Sequence, residues 1–286
     1  PAARALATAR SNTVVVLNPL LSNNMFVDLL EAVHRTLHPA GYLILIGVTH
    51  YRPEEEEALL ASYLVQRPAG LLVTGFDRTP HCRKLIEQSG VPCVHLMETS
   101  HEPEQYCVGF SQTEAGQALT DHLLQIGRRH IAFAAAQLDP RVMQRMQGYR
   151  QSLSAAGCYD PALELLNPKP SSKALGGELL ETLLREHPEV DAIFFCNDDL
   201  AQGGLLTALR LGIKVPQQVA VAGFNDLDGS EQMWPPLTTI HTPRVEIGMN
   251  AASMLLSLMR GEPQRSHCVD VGWELLLRQS TLGVPS

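Results

Sequence analysis

Short apolar, β-branched runs alternate with helix-length amphipathic stretches along almost the whole chain, and that alternation restricts it to a few architectures. Thr13–Leu17, Tyr42–Val48 and residues 70–74, 92–97 and 106–110 read as strands, being apolar runs too short for a buried helix. Between the first two, Phe26, Leu29, Leu30, Val33 and Leu37 recur at helical spacing after an N-cap at Asn23 or Asn24. Pro53 and the glutamates behind it open another helix, because Pro fits the first turn and anions suit its positive end. A helix from Thr113 to Gly127 leads into a second series. Strands at His130–Ala135, 162–166, Ala192–Cys196 and Val219–Ala222 alternate there with helices at Pro140–Ala156, Leu175–Glu186 and Asp199–Leu211. Residues 246–261 read as a last helix and 268–277 as a last strand pair. Such alternation implies a parallel sheet with helices on both faces. Two series of it imply an α/β protein of two doubly wound parallel-sheet lobes. The expected division is 12–127 plus 244–270 for the amino-terminal lobe and 128–243 plus 271–286 for the carboxy-terminal one. At 286 residues there is length for both, since single cores stop growing near about 250–300 residues.

Composition narrows the function classes. A net charge of −8 repels phosphate backbones, so no broad nucleic-acid surface is expected. Six cysteines (Cys82, Cys93, Cys107, Cys158, Cys196, Cys268) form no C-x-x-C pair and predict reduced, mostly buried thiols of a cytoplasmic protein. The apolar runs fall short of the ~18 residues of a membrane span, and no leader pattern opens the sequence. Eleven histidines lack H-E-x-x-H or His/Cys ligand spacing, so no metal is expected. G-x-S-x-G, a P-loop and a strand-linked G-x-G-x-x-G are all missing, so neither catalysis nor a cofactor is expected. Glu54–Glu57 is a charge run that reads as a solvated helix face.

Residues 219–244, VAVAGFNDLDGSEQMWPPLTTIHTPR, carry the sharpest signal. An apolar run stops at Gly223-Phe224-Asn225-Asp226, which places Asn225-Asp226 beyond a strand's carboxyl end, where open α/β sheets bind ligands. Pro235-Pro236 then precedes a further strand-like run, Leu237–His241. This pattern resembles the effector-binding core of LacI/GalR-type transcription regulators. Asp191–Ala201 with Gly203 matches that family's strand–Asn-Asp–helix turn, Gly212–Pro216 its G-x-x-V-P, and Arg278-Gln279-Ser280-Thr281 its R-x-S-T ending. With Gly127–Ile131 and Arg145–Tyr149, the likeness runs over essentially residues 1–281. It implies a periplasmic-binding-protein-like fold of type I with a ligand cleft between the lobes, a homodimer, operator DNA as partner and no membrane association. A periplasmic-type sugar-binding protein without a DNA role is the alternative, since it shares the two-lobe fold.

Departures from the family pattern point to the ligand. Ser111-Gln112 stands where the family has Asp-Asn, Asn225-Asp226 where it has Asp-Asp, and Gly127-Arg128 where it has Gly-His. Carboxylates suit sugar hydroxyls but repel an anion in a low-dielectric cleft. Losing two while keeping Arg145 favours a ligand with its own carboxylate, which a guanidinium grips with two parallel hydrogen bonds. Among subgroups the gluconate-type repressors are similar at His50–Glu56, Val108-Gly109-Phe110, Leu138-Asp139 and Cys196–Ala201, which makes gluconate and 2-ketogluconate the expected effectors.

The expected effector contacts are Asn24, Met25, Ser111, Arg145, Ser171, Asn197, Asn225 and Thr242. Four of them have a plainer reading. Arg145 would otherwise be a surface helix cation, Asn197 a helix N-cap, Met25 core packing, and Ser171, with Ser172, an ordinary loop. Trp234 walls the cleft or covers a seam. The alanine-rich start, residues 1–11, is too short to hold a helix alone. It resembles the family's hinge, in which Leu6 would wedge into a DNA minor groove and Arg4 would meet phosphate, below a helix-turn-helix headpiece expected upstream of Pro1. The alternative there is a frayed terminus.

Overall fold

The computed structural model describes residues 11–21 and 24–282. The hinge candidates Arg4 and Leu6, and Asn23, lie outside the described residues. The chain runs β1 (Thr13–Asn18), α1 (Asn24–Leu37), β2 (Leu43–Val48), α2 (Pro53–Leu64), β3 (Gly70–Thr74), α3 (Pro80–Ser89), β4 (Cys93–Met97) and β5 (Cys107–Gly109). It continues through α4 (Gln112–Gln125), β6 (Ile131–Ala136), α5 (Pro140–Ala155), β7 (Glu164–Asn167) and α6 (Lys173–Glu186). Then come β8 (Ala192–Phe195), α7 (Asp198–Leu211), β9 (Ala220–Asn225), β10 (Thr238–His241), α8 (Arg244–Met259), β11 (Cys268–Asp270), β12 (Glu274–Leu276) and α9 (Gln279–Leu282).

Contacts divide these elements into two units: residues up to Phe110 with Pro243–Gly272, and Ser111–Thr242 with Trp273 onward. The first unit's sheet has the order β11-β5-β4-β3-β1-β2, every neighbouring pair parallel. The second has the order β12-β10-β9-β8-β6-β7, parallel except where β12 runs against β10. In each, the first strand of the series lies between the second and third. The order reverses there, which makes the carboxyl ends of β1/β3 in one unit and β6/β8 in the other the switch points at which open α/β sheets bind ligands. The strands beside these points (β3, β6, β8 and β9) are buried at every residue, as parallel strands covered on both faces must be.

Three boundaries differ from those expected of the sequence. The first crossing falls at Phe110–Ser111, not at 127, because α4 packs on α5 in the second unit. Gly116 lies on the backbone of Arg145 and Gly148 on the backbone around Thr113, so any Cβ at either position would collide with main chain. β9 continues through Gly223 and Phe224 to Asn225 instead of stopping at Ala222. Gly223 marks no turn; its missing side chain leaves room for the Asp198 carboxylate. Residues 268–277 are not one strand pair, since β11 joins the first sheet and β12 the second. Trp234 is 71% exposed. All six cysteines are free thiols, and among the described residues no helix is long and apolar enough to cross a membrane.

Candidate functional site

In the second unit several buried polar side chains, Asp139, Asn197 and Asn225 among them, stand at or just beyond the carboxyl ends of strands. After β6, Gln137 and Leu138 take left-handed φ values of 68° and 51°, turning the chain sharply into Asp139. Asp139 caps α5 by accepting the Arg141 N–H at 3.1 Å, and Pro140 fills the first helical position. The helix so launched carries Arg145, which is 4% exposed. Its Nε donates to Gln112 Oε1 at 2.8 Å and its Nη1 to the Cys196 carbonyl at 2.7 Å. Its Cζ sits 3.7 Å from the centroid of the Phe224 ring. A desolvated cation over an aromatic face is worth up to ~2 kcal/mol. Elements α4, α5, β8 and β9 thus fix the plane of one guanidinium beside the β6/β8 switch point.

Around it lie the other expected residues of this unit. Asn197, one residue past the Cys196 carbonyl, caps α7 through Oδ1, which accepts the Leu200 N–H at 3.1 Å and the Ser171 hydroxyl at 3.0 Å. The N-cap reading of Asn197 therefore holds. Asn225 follows Phe224 at a φ of 109°, with Asp226 at 51°. Side chains at such φ values cost about 1–3 kcal/mol each and cluster at ligand sites. The buried Thr242 hydroxyl donates to Asn225 Oδ1 at 3.3 Å. Ser111 caps α4, accepting the Glu114 N–H at 3.2 Å, directly before Gln112. Arg145, Ser171, Asn197, Asn225 and Thr242 thus share one neighbourhood, with Ser111 at its edge.

Beneath this layer is Asp198, fully buried, which the sequence did not single out. One oxygen accepts the Thr239 hydroxyl at 2.7 Å; the other accepts the Leu227 N–H at 2.7 Å and the Ser230 hydroxyl at 2.8 Å. Burial pushes its pKa up to about 6 against these three donors. Asp226 is held by Arg278 at 2.9 Å and His241 at 2.9 Å. Burial would raise its pKa, but hydrogen bonds from His241 and Arg278 outweigh that, and it falls below the ordinary carboxylate value. The R-x-S-T ending thereby acquires a reason. Arg278 neutralises Asp226, the Ser280 hydroxyl donates to the Val221 carbonyl at 2.6 Å, and Thr281 meets Thr238 at 2.7 Å and His122 at 2.9 Å. Gln112, Phe224, Asp198 and Arg278 lie within motifs of the sequence but are not expected from it to build the site, because their partners are distant in the chain.

In the first unit, Asn24 is the exposed first residue of α1, while Met25 is buried, as its packing reading implies. That unit has a buried arginine of its own. Arg78, beyond the end of β3, donates through Nε to Glu56 Oε1 at 2.7 Å, so Glu56 is buried and paired and not on a solvated helix face, and through Nη2 to the Gly75 carbonyl at 3.0 Å. His95 lies 3.1 Å from its Nη1 and stacks on Phe76 with ring centroids 4.4 Å apart. Burial, and then the Arg78 charge, lower the His95 pKa to about 4. Among the described residues no cluster of His, Cys, Asp and Glu could hold a metal ion.

The periplasmic binding protein-like domain family matches residues 120–281. The HTH-type transcriptional regulator GntR of Pseudomonas aeruginosa is 54% identical over 281 residues, covering 98% of this chain and 82% of that protein. A LacI-family transcriptional regulator from Silicibacter pomeroyi superposes with a TM-score of 0.91 at 29% identity, covering 95% of this chain and 82% of that one. The chain belongs to the LacI family of transcriptional regulators. Among LacI-family structures, the transcription regulator GntR from Chromobacterium violaceum has a TM-score of 0.93 at 46% identity, covering 95% of this chain and 100% of that one. The two-lobed, parallel-sheet architecture expected of the sequence is therefore that of LacI-family regulators. The domain match spans Arg145, Ser171, Asn197, Asn225 and Thr242, so the neighbourhood built on Arg145 lies almost wholly within it.

Proposed function

We propose that this LacI-family chain is the effector-binding part of a cytoplasmic, homodimeric DNA-binding repressor, and that its effector is a sugar acid, gluconate or 2-ketogluconate. One observation carries the reading: a buried guanidinium, oriented by Gln112, the Cys196 carbonyl and the Phe224 ring, stands at a sheet switch point. The nearby carboxylates are already compensated. Asp226 is held by Arg278 and His241 and Asp139 by Arg141 at 3.1 Å, while Asp198 is fully buried and its oxygens are taken by three donors. Ser111 and Asn225 replace two further acids that would repel an anion. In this reading Arg145 takes the effector's carboxylate, while Asn197, Ser171, Asn225, Thr242 and Ser111 take its hydroxyls. Asn24 and Met25 are the proposed contacts of the first unit. The chain binds its effector without turning it over.

The effector acts by shifting populations, which requires it to interact differently with two states of the protein. Couplings of about 1–3 kcal/mol, or roughly 5–150-fold in affinity, are typical of such linkage. The proposed outcome is release from operator DNA, with Arg4 and Leu6 as the hinge contacts. Calorimetric titration against a panel of sugar acids and matching neutral sugars tests the ligand class. Saturable binding of gluconate or 2-ketogluconate, with neutral sugars far weaker, is expected. Equal affinity for glucose and gluconate would overturn the assignment.

A further inference from the structure

Two of the cysteines face each other at the edge of the first sheet. β11 is its edge strand and pairs with β5 in parallel register, setting Cys268 directly opposite Cys107. Register partners project from the same face, and the two thiols interact side chain to side chain. Adjacent strands lie about 4.7–4.9 Å apart. That falls inside the Cα separation of about 4.4–6.8 Å that a disulfide spans. Side chains on neighbouring parallel strands run alongside each other without converging, so closing the bond asks for a small local shift of the edge strand. Bonds of that kind are the readily reduced, switchable ones.

The two residues differ in access. Cys107 is fully buried, whereas Cys268 is partly exposed on the edge strand. They also sit just before two of the three places where the chain passes between units, Phe110–Ser111 and Gly272–Trp273. Backbone hydrogen bonds from Cys107 to the His267 carbonyl at 2.7 Å and from Val271 to the Gly109 carbonyl at 2.9 Å already join the strands there.

We propose that Cys268 and Cys107 form a peroxide-oxidisable pair, whose disulfide staples β11 to β5 and joins the chain covalently at the start of two crossings. The Cys268 thiolate attacks the O–O bond of hydrogen peroxide, gaining one oxygen as a sulfenic acid while the other leaves as hydroxide and takes a proton to become water. The Cys107 sulfur then attacks the Cys268 sulfur. The S–S bond forms as the S–O bond breaks, and the departing hydroxide takes the Cys107 proton as a second water. Two thiols and one peroxide give one disulfide and two waters. Burial, with the hydrogen bond to Cys268, pushes the Cys107 thiol up to about 12, so Cys107 is not the thiol that attacks peroxide.

The test is thiol titration of the denatured protein after hydrogen peroxide treatment, with peptide mapping by mass spectrometry. The thiol count should fall from six to four, with one linked peptide pair containing Cys107 and Cys268 that dithiothreitol separates. Amide hydrogen exchange across residues 268–271 should slow in the oxidised protein. Cys268→Ser should keep its five remaining thiols, while Cys93→Ser should still lose two. Persistence of all six thiols, a bridge to another cysteine, or Cys268 recovered as sulfinic acid beside a free Cys107 would each overturn the proposal. None of these readouts depends on the identity of the effector.

Discussion

Each unit buries an arginine near the carboxyl ends of its strands, yet the two are anchored differently. Arg78 in the first unit is locked to an internal carboxylate, Glu56, at 2.7 Å. In the second unit, the anchors that orient Arg145 include a side-chain amide, a peptide carbonyl and an aromatic face. Burial opposes the Arg78 charge, but Glu56 more than restores it, raising its pKa above the ordinary value. An ion pair closed from within is a structural element. Under the proposed function, the Arg145 charge stabilises an anion that comes and goes. The same strand order thus supports a buried ion pair in one unit and, under the proposed function, an anion site in the other.

The comparison breaks most visibly at Glu56. Glu56→Ala leaves Arg78 buried without its carboxylate and should cost about 3–5 kcal/mol in chemical denaturation. A loss under about 1 kcal/mol would show that Arg78 does not need its partner. The mirror experiment is Arg145→Ala, which should weaken gluconate binding by about 2–5 kcal/mol, roughly 30- to 5,000-fold, in calorimetry.

A pH experiment sharpens the contrast beneath the site. The Asp198 carboxyl keeps its proton up to about pH 6 when folded, against an ordinary value of 3.8. Between those values the folded chain binds more protons than the unfolded one, so this group's contribution to stability falls as pH rises from about 4 to about 6. A shift of that size corresponds to ~2–3 kcal/mol. Asp198→Asn should flatten that slope in denaturation curves taken across the interval, and an unchanged slope would place the ionisation elsewhere. Ser171→Ala removes one hydroxyl from Asn197 and should change gluconate affinity least, by ~1 kcal/mol.

Much of the fold was legible because its strands are buried on both faces and therefore appear as uninterrupted apolar runs, as at Ile131–Ala136. The first crossing was not, because strand–helix periodicity assigns α4 to the strand before it. The helix belongs with α5 through the glycine contacts at Gly116 and Gly148, which no local pattern reveals. β9 was cut short because Gly223 reads as a turn former, whereas it makes room for a carboxylate. Arg145 stood out through its Gly148-Tyr149 context, but its partners did not. Gln112, Cys196 and Phe224 come from three separate elements, and only the packed structure brings them to one side chain.

Whether Arg145 receives the acid group of its ligand is decided by one thermodynamic cycle. Affinities of the parent chain and of Arg145→Ala for gluconate and for its neutral alditol, glucitol, are measured by calorimetry under identical salt and pH. The parent should strongly prefer gluconate and the variant should lose that preference, with glucitol binding changed far less. A preference for the acid that survives intact in Arg145→Ala would contradict it.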